Sequence, residues 1–208
     1  MAKAKRVSGI RCDRSTAFNA RLVIQTRLEE MLAFAPWVDD PANVAEIHNL
    51  RIAAKRLRYS LELFRFALPS GTNSLINEVK EIQEHIGDLH DADVMIERMI
   101  SISRDNAEQR TQKLLDIAMN RERGTVAQRQ QRIRSSTTSP RGQRDDAALF
   151  TLVAFRSEDR ILAYEAFITA WRRMMDSDFE GRLRTHLDDA VAEAEAAAEQ
   201  QSGQHDAD

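Results

Sequence analysis

The chain has 208 residues, with 30 Lys and Arg against 33 Asp and Glu, 6% aromatic residues, seven Gly and four Pro. So few turn residues and aromatics exclude a β-sandwich or barrel, whereas abundant Ala, Leu, Glu, Gln and Arg favour helices. One cysteine, Cys12, excludes an intramolecular disulfide framework and a thiolate zinc site, and no apolar run nears the ~18 residues that span a bilayer.

The net charge of −3 hides a gradient. Up to Phe150 there are 24 Lys and Arg against 20 Asp and Glu, and from Thr151 onward 6 against 13. A mildly basic body therefore precedes an acidic tail, and the overall balance masks any anion-binding surface in the body. The opening MAKAKRVSGIRCDR is basic but lacks the apolar core of a secretory signal, so a cytoplasmic location is expected.

In chain order, the first predicted helix runs from about Arg14 to Phe34, on a stripe of Ala17, Leu22, Ile24, Leu28, Met31 and Leu32. Pro36 breaks it. The second begins at Pro41, with Asp40 as N-cap, and continues to about Leu68, where Pro69-Ser70-Gly71 ends it. The third starts near Thr72 and carries Leu75, Val79, Ile82, Ile86, Leu89, Ile96 and Ile100 at three- and four-residue steps, as in a bundle seam. Gly87 lies inside it; a mid-helix glycine costs about 1 kcal/mol relative to Ala, which suggests close approach of another backbone. A further helix is predicted over Ala107–Ile133, then a polar linker over Ser135–Asp146, then a helix over Ala147–Met175. The last helix, Arg182–Gln201, is Ala/Glu-rich with little apolar face, and QSGQHDAD reads as disordered. The expected architecture is all-α, an antiparallel bundle of five to six helices, with one domain over 1–180 and a tail over 181–208.

The second helix carries the chemistry. At about 100° per residue, Leu50, Leu57, Leu61, Phe64 and Leu68 form one stripe, and His48, Arg51, Lys55, Arg58, Tyr59 and Glu62 fall together on the opposite side. Only Glu46 and Glu62 oppose five Lys and Arg up to Arg65, whereas a solvated face usually mixes signs at i,i+4 spacing. Ile52, Leu63 and Phe66 flank the basic side, which predicts a covered helix whose cations line a groove. An anion would relieve the repulsion between them, with Arg supplying forked donors and Lys a point charge. The third helix adds Lys80, His85, His90, Asp91, Asp93 and Arg98. His90-Asp91 is a conceivable metal doublet, but adjacent helical residues point ~100° apart; pairing of Asp91 or Asp93 with an Arg of a neighbouring helix is the plainer expectation. Arg121–Arg144 holds seven Arg and one acid, Glu122: a basic arm or simply a solubilising stretch. Arg156, Arg160, Arg172 and Arg173 on the late helix are weaker candidates because they sit among acids.

The run IHNLRIAAKRLRYSLELF, followed by VKEIQEHIGDLHDADV, resembles the CHAD domain, the conserved-histidine α-helical domain. His48, Arg51, Lys55, Arg56 and Arg58 match its basic helix, and Gln83, Gly87, Asp91, Asp93 and Val94 its second motif. The resemblance implies a helical bundle that binds inorganic polyphosphate without catalysis, at polyphosphate granules of bacteria or archaea, with no cofactor. Larger members carry two basic-helix motifs and this chain shows one, so a degenerate second half or pairing of two chains into a homodimer is expected. Related domains are often fused to a triphosphate tunnel domain, whose ExExK strand is not seen in this sequence.

The expected polyphosphate contacts are His48, Arg51, Lys55, Arg56, Arg58, Tyr59, Lys80, Arg98, Arg156 and Arg160, with no catalytic and no metal-binding residue. Three alternatives remain at this point. A metal-dependent phosphohydrolase of the HD type would use His48, His90, Asp91 and a later acid such as Asp116, against the repulsion of Arg51, Lys55 and Arg58. A nucleic-acid or general polyanion binder is disfavoured by scarce aromatics and the lack of helix-turn-helix spacing. A purely structural adaptor would use the acidic tail. No membrane partner is expected.

Overall fold

The computed structural model describes residues 3–119, 125–137 and 140–205. Six α-helices make up the described chain: α1 (Thr16–Leu32), α2 (Val44–Phe64), α3 (Thr72–Ala118), α4 (Val126–Thr137), α5 (Pro140–Asp176) and α6 (Phe179–His205). Two 3-10 turns, Ala35–Trp37 and Arg65–Ala67, follow α1 and α2. No strand occurs among the described residues, so the fold is the all-α bundle that composition predicted. It divides into two compact units, Met1–His90 with Ala163–Asp208, and Asp91–Leu162.

The first unit holds the core. Ile24, Leu28 and Met31 of α1 meet Leu50, Leu57 and Leu61 of α2. Val79, Ile82 and Ile86 of α3, Phe167 and Trp171 of α5, and Phe179 and Leu183 of α6 close the same cluster. Each fully buried Leu, Ile or Phe contributes roughly 1.5–3 kcal/mol relative to exposure. Residues before α1 are pinned along it: Asn19 accepts from the Arg11 N–H at 2.9 Å and donates to the Arg11 carbonyl at 2.8 Å. Further back, Arg27 donates to the Lys5 carbonyl at 3.0 Å. Arg27 also pairs at 2.6 Å with Glu30, a buried acid that accepts the Lys5 N–H.

Local chemistry sets the helix ends. Ser15 Oγ accepts from the Phe18 N–H at 3.1 Å and caps α1. Asp40 does not cap α2. Its carboxylate closes a turn onto the Ala42 N–H at 2.8 Å, Asn43 donates instead to the Trp37 carbonyl, and α2 starts at Val44. Leu68 is extended because a residue before proline is forced out of the helical region. Gly71 then takes φ +103°, where an L side chain would be strained. Thr72 is buried and donates to the Pro69 carbonyl at 2.8 Å, with His186 of α6 at 2.7 Å from the same hydroxyl.

Three expectations fail along the second half. The third and fourth predicted helices are one 47-residue helix as far as Ala118, since no Gly or Pro interrupts the stretch from Asp88 to Ala118. The polar stretch Ser135–Asp146 is not a linker: α4 continues to Thr137, α5 begins with Pro140 in its first turn, and 138–139 lie outside the described residues. A capping box fixes the start of α4, with Thr125 N–H donating to Gln128 at 2.9 Å and Gln128 N–H to Thr125 at 3.3 Å. The tail is not a polar appendage either. Leu183, Leu187, Ala190 and Val191 are buried, and the helix extends through His205; 206–208 lie outside the described residues.

Candidate functional site

The core stripe of α2 fixes its rotation, so the face of His48, Arg51 and Arg58 turns toward α3. The contacts run in opposite order along the two helices: His48 against His90, Arg51 against Gly87, Arg58 against Gln83. Lys80, Gln83, Gly87 and His90 recur at steps of three, four and three, so all four lie on one stripe of α3. The basic face of α2 and a polar stripe of α3 with Gly87 inside it thus oppose each other, antiparallel, within the first unit.

Arg51 is the central cation. Its guanidinium lies over Gly87, whose missing Cβ would stand 3.8 Å from Arg51 Nε and 4.0 Å from Nη2. The glycine therefore makes room for a side chain, not for the backbone that the sequence suggested. Arg51 Nε is buried without a hydrogen-bond partner, and no ion pair involves Arg51 among the described residues. A buried N–H left unpaired costs about 1–3 kcal/mol, and a charged one more. An incoming oxyanion would remove that cost.

His48 shares the arrangement. Its Nδ1 is also buried and unpartnered, and its ring centroid lies 4.4 Å from that of His90. Burial, then His90, then Arg51 push its pKa below the ordinary value of a histidine. The neutral ring is thus favoured until an anion arrives.

Arg58 is held more firmly. Its Nε donates to Gln83 at 3.0 Å and its Nη1 to Glu62 at 3.1 Å. Tyr59 sits outside these cations, with the Arg58 guanidinium 4.8 Å and the Lys55 ammonium 5.6 Å from its ring centroid. Lys55 is exposed, with no ion pair among the described residues. Arg51, Lys55 and Arg58 span about two turns, near 10 Å. Such a row suits an extended anion better than a compact one.

The remaining candidates fall elsewhere. Arg56 lies ~100° round the helix from Lys55, off the sector. Lys80 belongs to the facing stripe, with its ammonium 3.5 Å from Glu84. Arg98, Arg156 and Arg160 belong to the second unit. Arg156 pairs with Asp159 at 2.8 Å and Arg160 with Asp93, as expected for that acid. Gln83 and His90 were absent from the expected contacts, although the stripe spacing in α3 carried the signal. The flanks also differ from expectation: Leu63 is 66% and Phe66 79% exposed, because α2 ends in an open 3-10 turn there. The basic arm is only partly described. Arg129, Arg132 and Arg134 lie on α4, and 120–124 and 138–139 lie outside the described residues.

The acidic tail does not neutralise this face. In α6, Asp188 pairs with Arg21 at 3.0 Å, Glu195 with Arg14, and Glu180 with Arg184 at 2.8 Å. These cations belong to α1, to the segment before it and to α6 itself. No ion pair joins α6 to α2 among the described residues. Nor does any group of three or more His, Cys, Asp or Glu gather as metal ligands among them, and no described helix is long and apolar enough to cross a membrane.

One helix face of the bundle thus carries Arg51 and Lys55 without an acid partner among the described residues, an arrangement whose chemistry suits an anion. The family model described as CHAD domain matches residues 4–100, from the segment before α1 through Ile100 of α3, and the chain is a CHAD domain protein over that region. The matched region contains every contact of the α2–α3 face. No curated protein and no solved structure matches the chain.

Proposed function

We propose that the protein is a non-catalytic module that binds inorganic polyphosphate along the α2 face, with Arg51 and Lys55 as principal contacts. The observation that carries this is the unpaired, buried Arg51 Nε beside the unpaired His48 Nδ1. Arg58 adds a guanidinium already oriented by Gln83, and His48 adds a donor once protonated. Membership of the CHAD family supports the choice of polyphosphate among linear polyanions. Where cells store that polymer as granules, the protein is expected on them.

Metal-dependent hydrolysis fits the same residues poorly. Arg51 lies close enough to His48 to depress its pKa, and a divalent ion would be repelled where an anion is attracted. Nucleic acid would need stacking aromatics, and Tyr59 is the one aromatic in the row.

The test is a titration of full-length protein with labelled long-chain polyphosphate at two salt concentrations, with orthophosphate measured in the same tubes. Binding that weakens with salt, without phosphate release, is expected, because each phosphate contact releases counterions. Arg51→Ala with Lys55→Ala should weaken binding at least thirty-fold, since charged hydrogen bonds contribute ~1.5–3 kcal/mol each. Unchanged affinity in that variant, or release of orthophosphate, overturns the proposal.

A further inference from the structure

The second unit, Asp91–Leu162, is built unlike the first. Asp93 pairs with Arg160, and Arg110 binds Asp146 through two hydrogen bonds of 2.6 and 3.0 Å. The order of the pairs reverses between the two helices, so the C-terminal part of α3 and the N-terminal part of α5 run antiparallel. A groove of about 430 Å³ lies between them, lined by Met99, Ile100, Ala107, Leu149, Phe150 and Val153.

Apolar side chains also point the other way. Phe155 and Leu162 are 61% and 64% exposed and lie on the side of α5 opposite Leu149 and Val153, with Leu152, 48% exposed, between the two sides. Phe155 and Leu162 stand seven residues apart, as do Met95 and Ile102, both 40% exposed on α3. Seven-residue spacing is that of a helix-packing seam, and helices apolar on two sides are covered in a folded assembly. Twelve large apolar side chains of this unit are exposed among the described residues. At roughly half exposure each they amount to ~1,000 Å² of apolar surface, spread over more than one side of the unit, so two copies packed face to face would cover a part of it.

We propose that this surface pairs with the same surface of a second copy of the chain, two helix hairpins completing a four-helix bundle. An antiparallel helix pair is the natural half of such a bundle, and a twofold axis makes a patch its own complement. Charge points the same way. Residues 91–118 and 140–162 carry eight Lys and Arg against ten Asp and Glu, interspersed. This near-balance offers no field for a strongly charged partner and little repulsion between copies.

The test is sedimentation velocity of full-length protein from about 2 to 100 μM. The mass should rise from 23.7 kDa toward twice that value. Phe155→Glu, and separately Leu162→Gln, should raise the dimer dissociation constant at least tenfold while far-UV helicity is kept. Phe66→Ser, which removes the most exposed apolar side chain of the first unit, should leave the dimer intact. A wild-type protein that stays monomeric throughout overturns the proposal. So does a dimer that survives both substitutions in the second unit, or one that Phe66→Ser dissociates.

Discussion

Phe167 and Phe155 belong to one helix, α5, yet Phe167 has no exposed surface and Phe155 is 61% exposed. The contrast extends to the units that hold them. In the first, α1, α2, α6 and parts of α3 and α5 surround one another, and every apolar stripe finds a facing stripe. In the second, among the described residues, only Ala92, Met99 and Ile117 are buried apolar side chains. A single helix pair encloses too little space to cover both sides of each helix. The cations differ as well. In the second unit Arg110, Arg156 and Arg160 are matched by Asp146, Asp159 and Asp93. In the first, the packing that buries the back of α2 holds Arg51 against Gly87 with no acid in reach. Burial of a helix thus leaves an unsatisfied cation, whereas the more open pair lets Arg110, Arg156 and Arg160 meet acids.

The largest expected effect lies in the first core. Phe167→Ala should cost ~3–5 kcal/mol of unfolding free energy by denaturant titration. A loss below 1 kcal/mol would mean that the first unit is no better packed than the second.

Next comes binding. The unpaired cations of the first unit should dominate, so the Arg51→Ala and Lys55→Ala variant is compared with a triple variant of the second unit. Arg98→Ala, Arg156→Ala and Arg160→Ala together should change polyphosphate affinity no more than about threefold, as Arg156 and Arg160 are engaged by Asp159 and Asp93 and all three lie in the second unit. A larger loss than in the α2 variant would move the site.

The pH dependence should be smaller. Burial, His90 and Arg51 hold the His48 pKa below its ordinary value in the free protein. A bound phosphate favours the protonated ring and raises that pKa, so binding takes up a proton. Affinity should therefore rise as pH falls from 8 to 6, by several-fold, since one pKa unit corresponds to tenfold. The free protein follows the opposite sign. Its depressed His48 contributes stability that is present above the ordinary pKa near 6.5 and is lost as pH falls below it. Fluorescence titration across pH with wild-type protein and His48→Gln checks both; an equally steep profile in the variant removes His48 from the site.

The smallest effect is expected at Gly87. A Cβ there makes ordinary contact with Arg51, so Gly87→Ala should stabilise α3 by up to ~1 kcal/mol with little change in affinity. A bulkier Gly87→Leu should displace the guanidinium and weaken binding like Arg51→Ala. Equal affinity in both variants would separate Gly87 from the site.

Helical class, the core stripe of α2 and its basic opposite face were legible because each rests on residue type and the 3.6-residue period alone. His48, Arg51, Lys55, Arg58 and Tyr59 could therefore be placed together before any packing was known. Helix ends were less legible. The side chains that cap or interrupt them choose among nearby partners: Asp40 took Ala42, Asn43 took Trp37, and the described residues of the polar run to Asp146 fall in α4 and α5. Gln83 and His90 were missed as partners because spacing gives a stripe but not the helix it faces.

The amino-acid order by itself determined which residues share a face, since a helix has one repeat and L-residues one hand. Tertiary packing decided the rest. It set His90 against His48, left Arg51 without an acid, sent the acids of α6 to Arg14 and Arg21, and left Phe155 and Leu162 uncovered. Each of these depends on which stripes meet in space, and that choice minimises exposed apolar area over the whole unit rather than along any one helix.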